Sequence, residues 1–199
     1  MIARTDPVPI GRPSFLASPR CGDLAALAAD LAIVGVPFTT PDDLERSRAA
    51  CSPAPGAIRE QSSRLAGSLG HYDFELGGEL FAGRRVTIVD GGDVAMLPGR
   101  YEENSRATTA VIGTVLERGA VPIVLGGDQA ATIPVVGAYA GRGPLCVVRI
   151  GADLDWRDEV NGVRAGPNSA MRRVSELPWV TSMIQVGLRG LGSSRRREV

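Results

Sequence analysis

Apolar runs of strand length, three of them leading into loops of glycine and aspartate, restrict the fold of this sequence more than any other feature. Residues 32–36 (AIVGV), 121–125 (VPIVL) and 145–150 (LCVVRI) are apolar runs, the last two entering Gly126-Gly127-Asp128 and Gly151-Ala152-Asp153. Residues 85–90 (RVTIVD) add another, and 183–186 (MIQV) close the series. The runs are continuous rather than alternating, which predicts strands buried on both faces, as in a parallel sheet covered by helices. Helical patterns fall between them. A helix begins at Leu24, ahead of the first strand. Residues 55–65 start on Pro55 and set Ala57, Ile58 and Leu65 on one face. Residues 102–118 carry an apolar stripe of Ala107, Val111, Ile112, Val115 and Leu116, and Gly119 follows as a stop. Residues 130–139 are helical but interrupted by Pro134, and 171–177 form a short helix. The β-α order predicts an α/β fold: three α-β-α layers around a mostly parallel sheet. The chain has 199 residues, the size of one domain. We read 1–20, rich in proline, as an irregular arm and 21–199 as the domain.

Composition removes several function classes. The 22 basic residues balance 22 acidic ones, so there is no basic excess for nucleic acid or a membrane surface. No lysine occurs, which excludes Schiff-base chemistry and a Walker A loop. His71 is the single histidine, so no site can take two imidazoles from one chain. Cys21, Cys51 and Cys146 are widely spaced and odd in number, which reads as buried thiols in a reducing compartment. The N-terminus lacks the apolar core of a signal peptide, and no apolar run reaches membrane-spanning length. A cytoplasmic protein is expected.

In open α/β sheets the site lies beyond the carboxyl ends of the strands. The informative loops are therefore 90–94, 126–129 and 151–158. Gly126-Gly127-Asp128-Gln129 places a carboxylate and a carboxamide after one strand. Gly151-Ala152-Asp153-Leu154-Asp155 places two carboxylates at i and i+2, which point the same way in extended chain and can meet on one cation. Asp158 and Glu159 follow. All-oxygen donors suit a hard ion such as Mg²⁺, Mn²⁺ or Ca²⁺. The alternative reading is a set of turns and helix caps, and it applies equally to Asp90-Gly91-Gly92-Asp93. Arg149 lies inside an apolar strand and needs a partner, for which Asp153 and Asp155 are candidates. The glycines at 187, 190 and 192 do not make a dinucleotide fingerprint, and Arg195, Arg196 and Arg197 read as a solvated tail.

Read together, AIVGVPF (32–38), PGAIR (55–59), VDGGDV (89–94), PIVLGGDQ (122–129), VVRIGADLDWRDEVNG (147–162) and MIQVGLRG (183–190) resemble the ureohydrolase family of arginases and agmatinases, the agmatinase-type branch most closely. The resemblance runs from about residue 30 to the end of the chain. It implies an arginase-like fold and a Mn²⁺-dependent amidinohydrolase, which converts a guanidino compound and water to an amine and urea. Two Mn²⁺ ions and a bridging hydroxide carry that chemistry. It also implies oligomers, since family members commonly associate.

The family's ligand motifs are altered here. In its GGDH motif the histidine is replaced by Gln129, with Asp128 retained behind it. In its DAHxD motif the metal-bridging aspartate is replaced by Gly151 and the histidine by Asp153, and Asp155 is unchanged. The strand histidine just before this motif is Arg149, and a later proton-transfer histidine falls at Pro167. The SxDxDxxDP segment does not occur. The resemblance therefore implies Asp153, Asp155 and Gln129 as the remaining metal positions, no catalytic residue, and weak or absent activity. The alternative is a non-catalytic regulatory or structural subunit of an intact ureohydrolase. In the family fold the strands that come after the matched part lie mid-sheet, so the sheet is expected to be incomplete on the C-terminal side, with a gap between two halves.

Overall fold

A computed structural model describes residues 4–9, 11–39 and 52–190. Cys51, Gly192 and the arginines at 195–197 lie outside the described residues. The strands are β1 (Thr5–Asp6), β2 (Leu31–Val36), β3 (Tyr72–Asp73), β4 (Gly78–Glu79), β5 (Ile88–Val94), β6 (Val121–Gly126), β7 (Leu145–Ile150) and β8 (Val180–Val186). The α-helices are α1 (Ala54–Ser62), α2 (Tyr101–Glu117), α3 (Thr132–Gly137) and α4 (Ala170–Ser175).

The main sheet has the order β1-β5-β2-β6, parallel except for β1. Residue alternation along β2 sends its two faces to different helices. Ala32, Val34 and Val36 share a buried core with Val111, Ile112 and Val115 of α2. On the other face, the α-hydrogens of Gly35 approach Pro55 of α1 and Asp93 of β5. The architecture is α/β with helices on both faces of a mostly parallel sheet, as expected. β7 and β8 form a separate parallel pair. A second small core of Ala170, Met171 and Val174 packs on its inner side, with Val147 and Met183. Helix α3 joins the halves. Its Val135 packs on the first core, and its Ile133 and Val136 pack on the second. The indole of Trp179 donates to the Val136 carbonyl at 3.0 Å.

Several boundaries differ from the sequence reading. The expected helix at Leu24 is a single 3-10 turn, Leu24–Ala26, capped by the Asp23 side chain. The helix from Pro55 ends at Ser62 and continues as a 3-10 turn, Ser63–Ser68. β5 does not stop at Asp90. It runs through Gly91, Gly92 and Asp93, because β1 pairs with its last residues. Residues assigned to an irregular arm thus supply a strand and a second contact, in which Asp90 N donates to Pro19 O, and Cys21 N just beyond the arm donates to Asp90 O. Burial on both faces holds for β2 and, in β5, for Asp90, Gly91 and Gly92. β6, β7 and β8 alternate, and Val121, Val148, Ile150, Ile184 and Val186 are exposed. Cys146 is exposed for the same reason, against the expectation of a buried thiol. Among the described residues β6 pairs only with β2 and β7 only with β8, so each keeps an open edge. No described helix is long and apolar enough to cross a membrane.

Arg59 holds the first half together. Its side chain is 4% exposed and that of Asp90 is fully buried. Nε donates to Asp90 Oδ2 at 2.8 Å and Nη2 to Asp90 Oδ1 at 3.0 Å, a bidentate fork. Nη2 also reaches the Gly92 carbonyl at 3.0 Å, and Nη1 reaches Asp93. Burial opposes the charge, but the bonds and charges of Asp90 and Asp93 outweigh it and raise the guanidinium pKa. Truncation would strand Asp90 in the interior. Arg59→Ala is expected to cost about 3–5 kcal/mol, the range for breaking a buried ion pair, measured from urea unfolding. Arg59→Lys should recover only part, because an ammonium cannot form the fork. Arg59→Ala unfolding at the wild-type urea concentration would overturn this account.

Candidate functional site

The loops after β6 and β7 come together, and a guanidinium lies between them. The first is pinned by backbone. Gly127 N donates to Val36 O at 3.0 Å and Asp128 N to Phe38 O at 3.0 Å. A β-carbon at 127 would overlap the backbone of Phe38, so only glycine permits this approach. The Asp128 carboxylate accepts from Ala130 N at 2.8 Å and caps the 3-10 turn Gln129–Ala131. The sequence reads here only as a turn, with capping at Asp153 and Asp155; in the structure the Asp128 side chain is itself a cap. Tyr101 stands close by, edge-on to Phe38 with ring centroids 5.2 Å apart. Burial, and then the charge of Asp128, push the Tyr101 phenol up to about 12.

The second loop departs from extended chain. Asp155 has φ 51°, in the left-handed region, so the i, i+2 geometry expected of a strand end does not apply to Asp153 and Asp155. Asp153 bridges to Gly190 through its backbone, its residue is exposed, and its carboxylate lies against Gly190. Asp155 is buried, and its carbonyl accepts from Met171 N at 3.2 Å and Arg172 N at 3.3 Å at the start of α4.

Arg149 connects the loops. Its side chain is 10% exposed and that of Asp155 is 6% exposed. Nη2 donates to Gln129 Oε1 at 3.0 Å and to Asp155 Oδ2, and Nη1 donates to the Asp153 carbonyl. Burial raises the Asp155 pKa, and the Asp153 charge adds to this. The charge and hydrogen bond of Arg149 work the other way without cancelling it. Gly151 lies directly against the guanidinium.

Of the residues picked from the sequence, the structure thus brings together Gln129, Asp155, Arg149 and the main chain of Asp153. Asp128 sits behind them as a cap. Asp90 and Asp93, on β5, belong to Arg59. Asp158 is part of a surface network with Arg164, Arg172 and Arg173. The Arg173 hydrogen bond, chiefly, holds its carboxyl below the usual range. Among the described residues no three His, Cys, Asp or Glu side chains are grouped to hold a metal ion. The Asp153 carbonyl carried no sequence signal, since any residue has one. Gly151 was visible only as a missing ligand.

The raised Tyr101 pKa predicts a pH effect. The folded state keeps this proton longer than the unfolded chain does, whose phenol titrates near its ordinary value of 10.0. The associated stability is therefore complete below pH 10.0 and is lost as pH rises through about 12. Unfolding free energies measured across this alkaline range should fall in the wild type and fall less in Tyr101→Phe. Equal slopes in the two proteins would contradict the assignment.

Residues 29–199 match the family model described as the arginase family. The chain is 28% identical to the mitochondrial agmatinase of Gallus gallus over 185 residues, covering 92% of this chain and 51% of that protein. Among solved structures it resembles a hypothetical agmatinase from Burkholderia thailandensis, with a TM-score of 0.73 and 24% identity over 92% of this chain and 56% of that one. It also resembles the formiminoglutamase of Trypanosoma cruzi solved with Mn²⁺, with a TM-score of 0.66 and 23% identity over 90% of this chain and 58% of that one. The chain spans about half the length of the curated relatives it matches.

Proposed function

The chain belongs to the arginase family, and we propose that it carries the agmatinase-type scaffold of a guanidino amidinohydrolase with little or no hydrolytic activity of its own. The observation that carries this reading is the position of Arg149. A centre of two Mn²⁺ ions needs several anionic or imidazole donors, one of them bridging. Where the loops after β6 and β7 meet, the donors are a neutral amide from Gln129, a backbone carbonyl from Asp153 and the carboxylate of Asp155, while the Asp128 carboxylate caps the 3-10 turn and that of Asp153 lies against Gly190. All three donors are already engaged by one guanidinium. Gly151 supplies no bridge. A fixed positive charge at the point where the donors meet also repels a divalent ion. The residues present do not fit the metal pair, and no hydrolytic step is assigned to them.

The test is direct. The purified chain, loaded with Mn²⁺ and dialysed, should retain no stoichiometric metal and release no urea from agmatine, 4-guanidinobutyrate or arginine. Urea release that disappears in Asp155→Ala would overturn the reading.

A second reading, a regulatory or structural subunit of an intact arginase-family enzyme, is favoured by a separate observation. β6 and β7 keep open edges, and Val148 and Ile150 on β7 pair in register with Ile184 and Val186 on β8. These four side chains are 49–83% exposed and form one apolar face. Faces of this kind mark association surfaces, and open edges add strands. In the cytoplasm, the compartment we propose, such a surface would be covered. Analytical ultracentrifugation should show self-association or a complex with an arginase-family enzyme, weakened by Ile184→Lys. A monomer that binds no hydrophobic dye would count against this role.

A further inference from the structure

Arg149 and Gly151 make contact in a way that explains both at once. A β-carbon built on Gly151 would stand 3.1 Å from Arg149 Cζ, 3.1 Å from Nη1 and 3.2 Å from Nη2. Near-equal distances to three atoms of a planar group place that carbon over the flat face of the guanidinium. Any side chain at 151 therefore presses on this face. The guanidinium has little freedom to retreat, because Gln129, Asp153 and Asp155 hold its edge from three separate points of the chain.

The acceptors have the character of a cation site. All are oxygens, from a carboxamide, a main-chain carbonyl and a carboxylate, and together they carry one negative charge. Their arrangement around a planar fork suits a guanidinium and does not suit a spherical ion that needs donors on all sides. Asp155 is itself held in place through its carbonyl by the start of α4, and Gln129 by the capped 3-10 turn. The acceptors are thus anchored independently of Arg149.

We propose that Gln129, Asp155 and the Asp153 carbonyl form a guanidinium-binding site whose occupant is the chain's own Arg149, seated in the space that Gly151 leaves open. Emptied of that side chain, the site binds a free guanidinium-type cation. The inference rests on the reading above that the loops hold no pair of metal ions.

The experiment uses the full chain and methylguanidinium as the probe. Arg149→Ala should melt at a lower temperature than wild type. Methylguanidinium at low concentration should raise that melting temperature to a saturating limit, while leaving the wild type unchanged. Tetramethylammonium at the same ionic strength should do nothing. Gly151→Ala should lower stability in the wild-type background and lose most of this effect in Arg149→Ala, because the face it presses on is gone. A folded Arg149→Ala that shows no saturable response, or a wild type that responds equally, overturns the proposal. If Arg149→Ala does not fold, Gly151→Ala decides alone. It must lower the melting temperature well beyond Gly22→Ala, where a new β-carbon meets nothing within 4 Å, and an equal effect overturns the proposal. The two readings fail separately. Stoichiometric Mn²⁺ in the wild type removes the functional reading, whereas absent metal together with absent rescue removes only this inference.

Discussion

The buried fork between Arg59 and Asp90 is the interaction on which the first half of the molecule depends. It brings three remote segments to one point. Helix α1 supplies the guanidinium and β5 supplies Asp90, Gly92 and Asp93. The N-terminal residues close over the same carboxylate through Phe15 N, at 2.8 Å from Asp90 Oδ2. A full charge inside a protein is tolerated when hydrogen bonds satisfy the groups around it, and here the Asp90 carboxylate accepts four, from Phe15 N, Gly92 N and Arg59 Nε and Nη2. The consequence is positional. With β5 fixed, β2 is fixed beside it, and β2 sets the start of the loop at Gly127 through Val36 and Phe38.

Arg149 repeats this chemistry at the junction of the two sheets with a different effect. Arg59 meets oxygens of a single strand, β5, whereas Arg149 meets oxygens of two loops. Arg59 ties a helix to a strand within a complete core. Arg149 ties the loop after β6 to the loop after β7, across the division between the two sheets. The helical connection through α3, the packing of the 3-10 turn Gln129–Ala131 on the turn Pro167–Ser169 and this polar contact relate the halves. A chain without lysine has only guanidinium as a strong cation, and guanidinium is the cation that can satisfy several fixed oxygens at once.

The division itself bears on function. In a covered parallel sheet the strand faces are interior, yet β6, β7 and β8 each present apolar side chains to solvent. The chain spans about half of each relative, and the surfaces left open are those on which further strands and helices could pack. The family match runs through both halves, residues 29–199, while the site lies at the junction where packing is incomplete.

Much of this was legible along the chain. The stripe at Val111, Ile112 and Val115 gave α2 to within a residue at each end, and the run at 145–150 gave β7 without error, because both periods are set locally by the backbone. Arg149 stood out for the same reason, a charge in an apolar run. The resemblance in the strand-end motifs located both loops of the site. Other features depended on contacts between distant residues. Asp90-Gly91-Gly92-Asp93 has the composition of a turn, and it is strand because β1 and Arg59 use its backbone and carboxylates. Asp153 and Asp155 have the spacing of paired ligands, and the left-handed backbone at Asp155 separates their roles. Gly151 is a vacancy in one dimension and a seat for a guanidinium in three. Sequence determined the elements and their order, since these follow from local period and turn chemistry. Only the tertiary structure decided which faces are covered and which oxygens meet, because burial and convergence belong to residues far apart in the chain.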